Sequence, residues 1–493
     1  MGAWSPVDAV FALMTAPLNI LGTFQDPLNI DMGAGKLTNV RVVPRQDTEA
    51  KDGKARLLGA PGLTLVSRPS SSACIALCHA LGTVWSGHAD GTIYYGVETG
   101  APTLSGTVAV NALQPVIRMA EDRTALVIAS NRNVLNAAEA GTGYTATQGA
   151  GVVNAGFDNS INFDPATCVE LDNMTIWSAA SNFYANQSDR MYRSAPLAPA
   201  SVDPNAFATK EARADRIVDM FVSGRVMWPL GSRSMEQWYD AGNNTDFPFA
   251  PFPNSLTEVG LASRTTLAGL RGSFGFVGTD KRIWRASGQT AQGASPNWVD
   301  ILLQQLTDAQ IASLTSYAYG QGGADFYVIT LPGQWSLELA VNFGVWSYRQ
   351  SPGRADHAGR CATEHDTGIT YVGLDTGHVC RLDINSSSEP GGTLYREIIT
   401  PWLGEEDKRH TLNSVDVTSS MGPAAGNFDF DWSIDKGQTW RGHRSIQMPQ
   451  PGTRRAVARG LGTERRRQLR LRYSGTQAPF TVDSFYADIT RGA

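Results

Sequence analysis

The sequence predicts a mainly β protein: an N-terminal arm over residues 1–60, a β-propeller-like domain of repeated hairpins over 61–394, and a C-terminal β-sandwich-like domain over 395–493. Three observations predict this. Seven short β-prone hairpins recur at a nearly constant spacing, the composition favours turns over long surface helices, and the texture of the chain changes near Tyr395.

The hairpins come first because their spacing carries the argument. Two apolar or β-branched runs flank Gly, Asp or Asn at Val84–Tyr95, Leu126–Leu135, Met174–Tyr184, Val226–Trp238, Phe274–Trp284, Phe326–Leu339 and Ile369–Leu382. Their turn centres fall near 90, 131, 181, 231, 280, 332 and 375, in steps of 41 to 52 residues, the length of one four-stranded propeller blade. Stacked β-sandwiches, whose strands also recur, are the alternative. A blade is covered on both faces, so its inner strands should be apolar with small residues near the axis, as in VWSG, FGFVG and TYVG. One helix interrupts the row at Asp308–Tyr317, where Thr307 and Gln310 have capping-box spacing; it reads as a surface connection between blades. In Phe247-Pro248-Phe249-Ala250-Pro251-Phe252-Pro253 the prolines lack ladder donors, which predicts an extended exposed loop whose phenylalanines form a contact surface. Beyond Tyr395, alternating runs at Leu412–Val417, Phe428–Ile434, Gln468–Tyr473 and Phe480–Ile489 are separated by longer loops and predict the sandwich.

Composition narrows the class of function. Gly 50 and Pro 25 in 493 residues, with 9% aromatic and 18% charged residues, suit an all-β globular chain. A net charge of −5 is too small to indicate a nucleic-acid or membrane partner. Cys74, Cys78, Cys168, Cys361 and Cys380 are odd in number and widely spread, so they read as reduced thiols. The apolar run Val7–Thr23 contains Asp8 and Pro17, and the first basic residue is Lys36, so it reads neither as a signal peptide nor as a membrane span.

Candidate chemistry is sparse. Ser433-Ile-Asp435-Lys-Gly437-Gln-Thr439-Trp440 fits the Ser-x-Asp-x-Gly-x-x-Trp turn called an Asp box, in which Ser and Asp accept from backbone amides, Gly takes positive φ and Trp packs beneath; it marks a fold rather than a catalytic site. A sialidase would need several boxes, three carboxylate-binding arginines and a Tyr–Glu pair. Cys361-x3-His365-x12-His378-x-Cys380 has zinc-ligand types without finger spacing, which leaves a metal or ordinary strand packing open; Cys74-x3-Cys78-His79 is one ligand short. Gly141-x-Gly143 and Gly149-x-Gly151 lack the Lys-Ser or Lys-Thr of a phosphate loop and read as a flexible loop. No Gly-x-Ser-x-Gly elbow selects a nucleophile. No catalytic residue, metal or cofactor is expected. The one charge concentration is arginine: residues 396–493 carry +4 against −9 for the rest, and in Leu469-Arg470-Leu471-Arg472-Tyr473 alternation separates apolar and basic faces. Arg454, Arg455, Arg465, Arg466 and Arg467, with Phe247, Phe249 and Phe252, are therefore the expected interface residues, a solvated strand face being the alternative.

Several ordered blocks resemble the packaged-DNA stabilisation proteins, or nozzle-like tail hub and tail accessory proteins, of short-tailed bacteriophages. They are Asn39-Val-Arg-Val-Val-Pro44 with Pro61-Gly-Leu63, Met235-Glu-Gln-Trp-Tyr239 with Gly242 and Phe247-Pro-Phe249, Val277-Gly-Thr-Asp280 with Ile283-Trp-Arg285, and Phe326-Tyr-Val-Ile-Thr-Leu-Pro332 with Gly344-Val-Trp346. The Asp-box segment and Arg459-Gly-Leu-Gly462 close the series. The resemblance implies a non-enzymatic virion protein of the tail, made in the host cytoplasm and present as a ring of six. Such a ring lies below the portal and adaptor, continues the channel for double-stranded DNA without reading its sequence, and holds needle, tailspike or fibre proteins. Six copies would carry −30, which suits DNA sliding past rather than gripping. A propeller-fold glycan-binding protein or sialidase-like glycosidase is the alternative.

Overall fold

The computed structural model describes residues 18–19, 35–44, 55–112, 114–131, 141–155, 165–178, 189–210, 212–213, 215–242, 246–403, 409–419, 426–447, 455–473, 475 and 479–491. The run Val7–Thr23 and the turns at 131–135 and 181–182 fall largely outside these residues. Two compact units emerge: Pro61–Leu394, and the residues before Pro61 together with those from Tyr395 onward.

The first unit is a propeller of seven blades, each of four antiparallel strands, among the described residues. Blades one to six run in chain order over 74–107, 117–154, 167–209, 217–251, 268–293 and 315–348. Blade seven takes three strands, Gly359–Glu364, Thr370–Leu374 and Val379–Asp383, from one end of the unit and its fourth, Gly62–Ser67, from the other. The first strands of successive blades are neighbours, and Gly359–Glu364 of blade seven adjoins Cys74–Ala80 of blade one, which closes the circle.

All seven hairpins of the sequence join or begin at the second strand of a blade, the most deeply covered position. Thr83–His88, Ser273–Val277 and Thr370–Leu374 are buried at every residue. The segments VWSG, FGFVG and TYVG are therefore second strands. The innermost strands are the first of each blade, and these are only partly buried because they line an axial cavity.

Strand periodicity decides how blades adhere. In Ala125–Asn131, Leu126 and Ile128 pack with Trp85, Ile93 and Ile117 between blades one and two, while Val127 and Ala129 pack with Cys168, Trp177 and Tyr192 between blades two and three. Trp85, Trp177 and Trp228 are among the largest fully buried side chains, and truncating one to Ala would cost about 3–5 kcal/mol. The indole N–H of Trp85 donates to the Ala80 carbonyl at 3.0 Å and that of Trp177 to the Pro199 carbonyl at 3.1 Å.

Two features differ from the sequence reading. The helix is Asp308–Ser313, with both halves of its capping box formed, and Thr315–Gln321 is already a strand; a second helix, Asn297–Gln304, precedes it. Trp298, Val299, Leu303 and Ile311 from these helices are buried against blades five and six, so the connection is part of the core rather than a surface link. The glycine-rich segment is not a loop: Gly141–Thr147 and Gly151–Asn154 are paired strands around a turn where Gly149 has φ +81°.

The second unit is the β-sandwich. One sheet orders Lys36–Thr38, Arg396–Ile399, Gln468–Tyr473, Asn427–Ser433 and Arg441–Gln447; another orders Leu18–Asn19, Ser484–Arg491, His410–Thr418 and Arg455–Arg459. Val40–Pro44 and Ala55–Gly59 pair with each other, and the latter with Thr481–Val482. The described strands before Pro61 thus belong to sheets with the C-terminal strands instead of forming a separate arm.

Candidate functional site

The arginine-rich stretch lies on and beside Gln468–Tyr473. Leu469, Leu471 and Tyr473 are buried, and the alternating Arg470 and Arg472 face outward, both donating to Asp431, at 2.6 and 2.7 Å. The Arg470 guanidinium also lies 4.1 Å from the centre of the Trp440 ring, so the basic face is braced from below. Arg465 is exposed, Arg466 half-buried, and Arg455 exposed beside Asp416; Arg454 lies outside the described residues. Arg467 departs from the interface reading. It is 3% exposed, and its guanidinium donates to the carbonyls of Leu461 at 2.6 Å and Gly462 at 2.9 Å. Those carbonyls need a donor inside the fold, so this arginine is structural.

The Asp-box segment forms the connection between Asn427–Ser433 and Arg441–Gln447. The Ser433 hydroxyl accepts from Gly437 N–H at 2.8 Å, the Asp435 carboxylate accepts from Thr439 N–H at 2.9 Å, and Gly437 has φ +81°. Hydrogen bonds from the Ser433 hydroxyl and then the Thr439 side chain and N–H hold the Asp435 carboxyl down at about 2. The turn therefore keeps its charge and its geometry through ordinary pH.

Phe247 and Phe249 are corrections. They are 8% and 3% exposed and join the core between blades three and four, because alternation in Phe-Pro-Phe-Ala-Pro turns both rings inward. Phe249–Pro251 is the outermost strand of blade four, an edge where proline is tolerated. Phe252 is half-buried against Tyr239.

The Cys and His residues are dispersed over blade seven. Cys361 is on the first strand, 3.8 Å from Cys74 Sγ of blade one; Cys380 is on the third; His365 and His378 sit at turns beside Thr367 and Thr376. Among the described residues no group of three or more His, Cys, Asp or Glu is arranged to hold a metal ion.

Three buried charge clusters were not legible in the sequence, because their members are far apart and each alone looks like a surface residue. In the first, Lys210 Nζ contacts Asp215, Ser234 Oγ at 2.6 Å and Glu236 at 3.7 Å, all within residues at most 9% exposed. Burial pushes the Glu236 carboxyl up; Asp215 is held low despite its burial by Lys210 and by N–H donors from Arg233 and Ser234. Glu236 also accepts from the Trp238 indole at 3.2 Å. The second cluster is axial: fully buried Asp219 accepts from Arg118 at 2.6 Å and from Thr167, and lies 3.6 Å from Arg264, tying blades two to four to the approach to blade five. The third holds the circle shut: Arg349 donates to the Pro61 carbonyl and to Glu389, both at 2.7 Å, and Ser351 donates to Glu389 at 2.5 Å.

Two family models, described as the β-propeller and the β-sandwich of bacteriophage P22 Gp10, match residues 38–352 and 395–490 in this order. The chain belongs to this family. Its members are tail and DNA-stabilisation proteins of short-tailed phages, a structural family. The Glu236–Trp238 pair of the first cluster falls inside the matched propeller, whereas blade seven's three consecutive strands begin beyond it. Among solved structures the chain is similar to YCF48 from Cyanidioschyzon merolae (10% identity, 65% of this chain and 99% of that one, TM-score 0.42). Others are the Neurospora crassa Pan2 WD40 domain (7%, 66% and 96%, 0.41) and a streptogramin B lyase (11%, 65% and 97%, 0.40). No curated protein matches the chain.

Proposed function

We propose that this P22 Gp10 family member is a component of the phage tail that assembles as a ring of six, extends the DNA channel below the portal and adaptor, helps retain packaged DNA, and anchors needle, tailspike or fibre proteins. The observation that carries this reading is the family match to propeller and sandwich in order on one chain. The net charge of −5 per copy favours passage of DNA over binding, and the buried clusters act as scaffold rather than as chemistry, so the role is non-enzymatic. Docking falls to the exposed Arg455 and Arg465 with the half-buried Arg466, since Arg467 is committed to the fold.

Quantitative mass spectrometry of purified virions tests the assignment. About six copies per portal ring supports it, and absence from the particle refutes it. Replacing Arg455, Arg465 and Arg466 together by Ala should impair tail assembly while leaving the folded spectrum unchanged; full assembly would remove these arginines from the interface.

A further inference from the structure

The fold brings two of the scattered cysteines together at the joint that closes the propeller. Cys74 opens the first strand of blade one, and Cys361 is the third residue of the first strand of blade seven. They are 287 residues apart in the chain, and their sulfurs lie 3.8 Å apart. A register shift between Cys74 and Ala76 aims Cys74 this way. Cys74 packs with Val84, Tyr371 and Val379 in the core between blades one and seven, whereas Cys78, on the same strand, packs with Trp85 and Ile117 towards blade two. Gly373, on the second strand of blade seven, has no side chain to occupy the space beside both sulfurs.

The two thiols differ in access. Cys361 is half-buried and lines the axial cavity of about 660 Å³, while Cys74 is wholly buried. The hydrogen bond with Cys361, and then burial, push the Cys74 thiol well above its ordinary 9.0, so it stays protonated through neutral pH.

We propose that Cys74 and Cys361 form an oxidation site, at which hydrogen peroxide entering the axial cavity converts the pair to a disulfide that locks blade seven to blade one. The Cys361 sulfur attacks one peroxide oxygen, the O–O bond breaks, and a sulfenic acid and one water result. The Cys74 sulfur then attacks that of Cys361; the S–O bond breaks, and the departing hydroxyl takes the Cys74 proton as a second water. The two sulfurs together lose two electrons, and the peroxide is reduced to water. An S–S bond is about 2.0 Å long, so the sulfurs close by roughly 1.8 Å, within the reach of side-chain rotation. Gly62–Ser67 otherwise holds this joint through hydrogen bonds to Val379–Asp383, and the disulfide would keep the circle closed even with that strand detached. The site goes beyond the tail role and does not depend on it.

The test uses the full chain, first reduced and then treated under native conditions with a slight excess of hydrogen peroxide. Peptide mapping without reductant should show Cys74 joined to Cys361 in monomeric chains. The thermal unfolding midpoint should rise by about 5 °C and return on adding dithiothreitol. Cys361→Ser should abolish both changes and Cys78→Ala neither; mapping the unsubstituted chain decides the matter even where a variant folds poorly. Both thiols still free, Cys361 oxidised to sulfinic acid beside a free Cys74, either cysteine joined to a different one, or a crosslink that leaves the midpoint unmoved would overturn the proposal.

Discussion

Lys210→Met isolates what the first buried cluster contributes. Lys210 is completely buried, and without its ammonium Asp215 and Glu236 lose the cation that both contact. Asp215 still accepts from Arg233 and Ser234 N–H, at 2.6 and 3.0 Å, and Glu236 keeps the Trp238 indole and the backbone N–H groups of Arg213 and Ala212, all of them neutral donors. Leaving a buried charge uncompensated costs about 3–5 kcal/mol. Glu236 escapes by taking a proton, which from its ordinary value of 4.5 costs about 3.4 kcal/mol at pH 7 but only about 0.7 kcal/mol at pH 5. The expected loss is therefore about 3 kcal/mol at pH 7, shrinking towards 1 kcal/mol at pH 5. Urea unfolding followed by tryptophan fluorescence at both values measures it, since Trp238 touches the cluster. Adding Glu236→Gln should recover most of the loss at pH 7. A loss below about 1 kcal/mol at pH 7, or one that does not fall with pH, refutes the reasoning.

Two further predictions follow from packing and burial. A Cβ on Gly373 would sit 2.5 Å from Cys74 Sγ and 2.7 Å from Cys361 Sγ, between the blades that close the circle, so Gly373→Ala should cost about 1–3 kcal/mol in an unfolding titration and Cys74→Ala should relieve part of it. Burial, with Arg349, Arg360 and Arg354 nearby, drives His357 well below its ordinary 6.5 and keeps it neutral. The unfolded chain then binds the extra proton, so stability should fall as pH drops below about 6.5, by up to about 1.4 kcal/mol per unit, and His357→Gln should flatten that slope in pH-dependent melting.

What could be read from the sequence follows from how each strand is covered. Second strands are buried on both faces and end at tight turns, so Thr83–His88 and Ala324–Leu331 stood out as apolar runs with Asp-Gly or Pro-Gly beyond them. Outer strands have one free edge and carry weak signals: Ala198–Thr209 contains Pro199 and Pro204, and Phe249–Pro251 looked like a loop for the same reason. Lys36–Thr38 pairs with Arg396–Ile399, far along the chain, a pairing no local pattern announces. The misreading of Arg467 has a different cause. Its partners are main-chain carbonyls, which every residue possesses, so nothing in the side chains around it signals that it is engaged.

The fourth strand of blade seven also imposes an order of events on synthesis. Thr64 is hydrogen-bonded to Asp383, 319 residues later. At about 5–20 residues per second, Gly62–Ser67 leaves the ribosome roughly 15–60 s before its partner strand exists. Six blades can stack as they emerge, but the propeller's first strand must wait with its backbone donors unpaired and Leu65, still 52% exposed in the finished fold, open to water. A ribosome stalled anywhere before Val379–Asp383 leaves an open arc with an adhesive end, so the completeness of the propeller is checked by whether its first strand can be paired.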